Sequence, residues 1–293
     1  MIELPPSKKA RAIKSVGAQW NAGSESNTPT VPSFQIFCSF IIFLIITAGC
    51  TGPEAEEVSK KSKPNILLII TDDQGHGDLG FHGNPHIVTP TIDQLAREST
   101  RFTQFYVSPV CAPTRSSLNT GRYSLRTGVW DTYNGGAIMA TEETTIAEHL
   151  SAAGYRTGMF GKWHLGDNYP FRPIDQGFDE AVRHEGGGIG QVGNIYNYFH
   201  FDSSYFDPYL LHNGQYEQYE GYCSDIFTDE ALRFIEENKD GPFFTYLSYN
   251  APHTPLQLPE KYVDMYDTVE LNSNHYRETG YPIGGIDDRS AKR

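Results

Sequence analysis

Cys111 opens the segment CAPTRSSLNTGR, in which a thiol stands four positions before the guanidinium of Arg115. On a helix that spacing is one turn, so the two side chains share a face. A helix starting near residue 111 also turns free backbone N–H groups toward an anion. By cysteine arithmetic alone, a structural thiol, or a disulfide to Cys223, is the favoured reading of Cys111. Asp72 and Asp73 directly follow an apolar run. Paired carboxylates at a strand end suit a hard divalent cation such as Ca²⁺, although such a pair alone is more often a solvated turn. Lys162 and His164 alternate along GKWHLG and can face one pocket. There the lysine offers a point charge to an anion and the histidine a proton relay near neutral pH; a surface loop is the plain alternative. His253, in APHTP, reads by itself as packing or turn chemistry more than function. The other histidines have no comparable frame, and no Cys/His cluster has the spacing of a zinc site.

These residues need elements to hold them. NILLIIT, residues 65–71, predicts a strand buried on both faces, as in a parallel sheet. TIDQLARE, 91–98, predicts a short amphipathic helix, and 101–107 reads as a strand. A helix over 145–153 carries a capping box of Thr145 and Glu148, with Gly154 as its stop. Strands follow over 155–161 and 242–249. Between them a helix over 228–238 places Ala231, Leu232 and Ile235 on one face. Strands alternating with helices imply an α/β fold with a mostly parallel central sheet flanked by helices. The Gly-, Tyr- and Asn-rich stretch 183–222 reads as a long surface insertion beside the site. Within it, Tyr196 to Phe206 reads as ordinary packing, with a sugar-binding wall as the alternative.

The chain has 293 residues, four cysteines and a net charge of −13. A diffuse acidic balance argues against non-specific nucleic-acid binding, and four cysteines are too few for a disulfide scaffold. Residues 1–33 are polar and read as a disordered leader. Residues 34–50 form a signal-like segment. It is an uncharged apolar run, short for a membrane span, that ends in Thr47-Ala48-Gly49-Cys50. A charged tether, 51–63, leads to the folded region, 64–293.

Cys111-Ala-Pro-Thr-Arg115 with Thr120-Gly-Arg122 resembles the type I sulfatase signature, within the alkaline-phosphatase-like superfamily. The resemblance extends over Pro64 to Arg293 and includes Gly161-Lys-Trp-His-Leu-Gly166. It implies that a maturation enzyme converts Cys111 to Cα-formylglycine. The hydrate of that aldehyde would attack sulfur through one hydroxyl and release sulfate through the other, a covalent route with a built-in exit. It further implies that Arg115 holds the hydrate, and that Lys162, His164 and His253 serve the sulfate and the leaving oxygen. Asp72, Asp73 and the modified Cys111 would ligate Ca²⁺. The expected substrate is a sulfated carbohydrate or an aryl sulfate. Phosphodiester or phosphonate hydrolysis is the rival activity, and a truncated remnant that only binds sulfated ligands is the non-enzymatic rival. TAGC resembles a bacterial lipobox, implying export to the periplasm or cell surface with a lipid on Cys50. The family's later Asp-Asn pair and lysine are expected beyond residue 293, so the chain resembles the N-terminal part of a sulfatase.

Overall fold

The computed structural model describes residues 63–191, 193–194, 196–198 and 204–269. The chain divides into residues 1–61 and 62–293, and every described residue belongs to the second unit. The signal-like segment and Cys50 lie outside the described residues, as do most of the tether and residues 270–293. Among the described residues no helix is long and apolar enough to cross a membrane.

Six strands form one sheet: β1 (Ile66–Ile70), β2 (Arg156–Lys162), β3 (Glu180–His184), β4 (Tyr209–His212), β5 (Gln215–Gln218) and β6 (Phe243–Ser248). Their order is β1-β6-β2-β3-β4-β5. The first four strands run parallel, and β4 and β5 add an antiparallel edge. The helices are α1 (Pro90–Glu98), α2 (Cys111–Thr120), α3 (Ile146–Ala152), α4 (Cys223–Asn238) and α5 (Glu260–Asp264).

The pleat sorts the core into two layers. Met159, Ala181, Phe244 and Tyr246 point to one side, where Ala112 of α2 and Ala147 of α3 close the cluster. Phe160, Val182, Phe243 and Leu247 point to the other, against Ile226, Phe227, Ala231 and Phe234 of α4. The α3 capping box forms as its sequence predicts, with Thr145 accepting from the Glu148 amide and Glu148 bonding back.

Four expectations are corrected. The first strand is not buried on both faces: Leu67 and Ile69 are about half exposed, while Ile66, Leu68 and Ile70 join the first layer. Among the described residues β1 is an edge strand, and α4 packs on β2 and β6 instead. Residues 101–107 form no strand, and Phe102, Phe105 and Tyr106 are exposed. The fourth helix starts at Cys223, five residues before the predicted point, and turns Leu232 to solvent. The 183–222 stretch is partly sheet: β4 and β5 form a hairpin whose turn, Asn213-Gly214, has positive φ at both positions. That is the two-residue turn matched to strand twist.

Candidate active site

The predicted residues converge at the carboxyl ends of β1, β6 and β2, where ligands of open α/β sheets bind. Asp72 and Asp73 follow β1, Lys162 ends β2, and Ser248 ends β6. Cys111 is the first helical residue of α2, after an extended Val110 whose side chain makes no cap. The later Thr-Gly-Arg of the motif serves this helix. Gly121, at φ 67°, ends it by donating to the Ser117 carbonyl, and Arg122 binds both carboxylate oxygens of buried Glu143.

Beneath Cys111 lies a buried charge cluster. Asp72 accepts from Arg115 Nη2 at 3.2 Å on one oxygen and from Lys162 Nζ at 2.5 Å on the other. Arg115 Nη1 donates to the Lys162 carbonyl at 2.7 Å and to Ser248 Oγ. All three charged side chains are almost wholly buried. Burial alone would raise the Asp72 pKa, but the charges of Arg115 and Lys162 outweigh it and hold the carboxyl below its usual range. Arg115 thus spends both terminal nitrogens on the protein, and its buried Nε has no partner among the described residues.

Above this cluster, His164 Nδ1 sits 3.3 Å from Cys111 Sγ, and Nε2 lies 3.0 Å from the Thr132 carbonyl oxygen. A carbonyl only accepts, so Nε2 carries the proton and Nδ1 presents its lone pair to position 111. Burial, reinforced by the Lys162 charge, pushes the imidazole pKa down to about 4, so it is neutral near pH 7. The backbone of His164 is left-handed, φ 57°, which is uncommon outside glycine. Gly187 presses on the ring: a Cβ there would come 2.8 Å from His164 Cε1.

Gly161 is tighter still. At φ 116°, a Cβ would fall 1.9 Å from the Ser248 carbonyl oxygen, so β2 and β6 approach closely just before Lys162. The outer part of the site is looser. Asp73, at φ 62° and more than half exposed, has Oδ2 3.6 Å from His253 Nε2. Cys111, His164 and His253 share a cleft of about 520 Å³ with Tyr133, Gln191 and Tyr198.

The carboxylates of Asp72 and Asp73 are the oxygen donors that Ca²⁺ prefers, but Asp72 is already engaged by two cations. Among the described residues no group of three or more His, Cys, Asp or Glu is placed to hold a metal ion. Donor type therefore fits a hard cation, and the two carboxylates could supply part of its shell. Cys111 and Cys223 are both free thiols, which removes the disulfide alternative. Sequence reasoning missed Ser248, Thr132 and Gly187. Ser248 was findable as a polar residue closing an apolar strand. Thr132 acts through its carbonyl and Gly187 through a missing side chain, so neither leaves a residue-type signal.

The fold is that of the sulfatases, and the chain belongs to that family: the Sulfatase family model matches residues 64–284. It is 32% identical over 264 residues to mouse arylsulfatase J, covering 81% of this chain and 43% of that one. It is 32% identical over 250 residues to human N-acetylgalactosamine-6-sulfatase, covering 78% and 45%. Among solved structures it is similar to Ps i-CgsB in complex with k-i-k-neocarrahexaose. There the TM-score is 0.62 at 35% identity, over 72% of this chain and 50% of that one. The chain spans less than half the length of these curated relatives.

Proposed function

We propose that the protein hydrolyses sulfate esters of carbohydrates, with position 111 as the nucleophile after conversion to Cα-formylglycine. The observation that carries this reading is the 3.3 Å approach of a neutral imidazole to Cys111 at the start of α2. The named relatives add weight: one is an N-acetylgalactosamine-6-sulfatase, and one structural neighbour is in complex with k-i-k-neocarrahexaose.

The formylglycine hydrate would supply a hydroxyl nucleophile and a second hydroxyl for release of sulfate, and Asp72, Asp73 and position 111 would hold a Ca²⁺ that would supply positive charge to the sulfate oxygens. The chain's own residues do the rest. His164 Nδ1 accepts a proton from the group at position 111, and the Thr132 carbonyl keeps the required tautomer. Lys162 and Arg115 hold the Asp72 carboxyl below its usual range, so a carboxylate stands at the end of β1 near neutral pH. The open N-terminus of α2 favours an anion beside residue 111. His253 lines the cleft after β6, and we assign it to the leaving oxygen. We further propose export, with the lipid anchor on Cys50.

The full chain, co-expressed with a formylglycine-generating enzyme, should release sulfate from a sulfated galactoside, with a mass shift at the Cys111 peptide. Cys111→Ser should lose both. An unmodified Cys111 in the presence of an active maturase, or faster turnover of the matching phosphate ester, overturns the proposal.

A further inference from the structure

The proposed nucleophile and cation would account for sulfate, but not for what bears it. Tyr133 lies in a tight loop: the Trp130 and Asp131 amides donate to the Gly136 carbonyl, and the Gly136 amide to that of Tyr133. One residue earlier, Thr132 holds His164. The loop therefore fixes Tyr133 relative to position 111 through two short links. Tyr133 is 62% exposed, on the cleft wall, where burial explains nothing about it.

Gln191 shares the cleft and lies over a glycine run: a Cβ on Gly188 would meet its side-chain amide carbon at 2.8 Å. Gly187 and Gly190 line the same wall and fill none of the space. An aromatic face suits the C–H face of a pyranose ring, and a primary amide can give and take hydrogen bonds with ring hydroxyls. Charge narrows the choice. Among the described residues the cleft is lined by no lysine or arginine. Lys162 and Arg115 are buried below it on Asp72. Among the described residues of the cleft a second anionic group on the sugar would find no lysine or arginine, and it would lie near Asp73, on a chain of net charge −13.

Building on the sulfatase reading, we propose that Tyr133 and Gln191 form a subsite for one uncharged pyranose ring carrying the scissile sulfate, with Tyr133 as its stacking platform. The site then selects neutral sulfated sugars over sulfated uronic acids.

Binding to a non-turnover form separates this from catalysis. In the full Cys111→Ala chain with Ca²⁺, galactose 6-sulfate should bind at least tenfold tighter than inorganic sulfate by calorimetry. A 2-O-sulfated glucuronic acid should show no such margin. Tyr133→Ala should cut the galactose margin to threefold or less, Tyr133→Phe should keep it, and Gln191→Ala should narrow it as an independent check. A margin untouched by Tyr133→Ala and Gln191→Ala, or a uronate that binds as well as the galactose, overturns the subsite. Sulfate bound with no sugar margin overturns the subsite alone, whereas binding of none of the three overturns the sulfatase reading with it.

Discussion

The two halves of the site are built differently. Asp72, Arg115 and Lys162 form a buried knot in which each charge has its partners within the chain. His253 faces the cleft, and Asp73, more than half exposed, lies 3.6 Å from it, beyond hydrogen-bond reach. Buried ions tolerate no missing partner, because desolvation must be offset locally. Exposed ones are screened by water and can wait for a ligand. The inner half is thus part of the fold, and the outer half is what the fold presents.

Breaking the inner half should have the largest effect. Asp72→Ala leaves Arg115 and Lys162 buried without a counter-charge, and should cost about 3–5 kcal/mol. At about 2–4 °C per kcal/mol for a unit of this size, melting should fall by roughly 6–20 °C. A melt within 2 °C of wild type would show that the knot is not structural.

Acid should discriminate next. His184 ends β3 beside Lys162 in register, is fully buried, and has Nδ1 2.9 Å from the Glu185 carbonyl oxygen, while Nε2 has no partner among the described residues. Burial first, and then the nearby cations, push its pKa down to about 3, from an ordinary 6.5. The unfolded chain therefore binds the proton more readily, so stability is lost as pH falls from about 6.5 toward 3. His164, at about 4, adds to the same acid limb. Denaturant melts of His184→Gln should show a shallower loss over that window, and an identical pH slope would refute the assignment.

The smallest change in stability should come from the outer half. Asp73→Asn should move unfolding by no more than about 0.5 kcal/mol, yet weaken Ca²⁺ binding by about tenfold, since ligand charge sets affinity for that ion. Paired thermal melts and calcium titrations check both statements. Equal calcium affinity would remove Asp73 from the proposed cation site.

What the sequence disclosed divides along similar lines. Local signals were legible: the Thr145–Glu148 cap, the helix opening at Cys111, and the strands ending at Lys162 and Ser248. Position at strand ends then placed Asp72, Lys162 and His253 near one another. The exposure of Leu67 and Ile69 was not legible, since an apolar run reports what a strand can bury, and whether α4 reaches β1 is decided far away in the chain. The hairpin at Asn213-Gly214 carried a local signal, masked by the irregular glycine- and tyrosine-rich composition around it. Arg115 reads in sequence as a ligand for the reacting group, but its two terminal nitrogens bind Asp72, Ser248 and a backbone carbonyl.

The closeness of β2 to β6 at Gly161 bears on how this site can be varied. A side chain of any kind at 161 would strike the Ser248 carbonyl, one residue before the lysine that neutralises Asp72. Adaptive search over this scaffold therefore meets a hard wall at that residue, indifferent to which ester is hydrolysed. Diversification is steered outward, to rim positions such as Tyr133 and Gln191, where exchange leaves the sheet undisturbed. A library randomised at the rim should yield many soluble clones, and one randomised at 161 should return glycine almost alone.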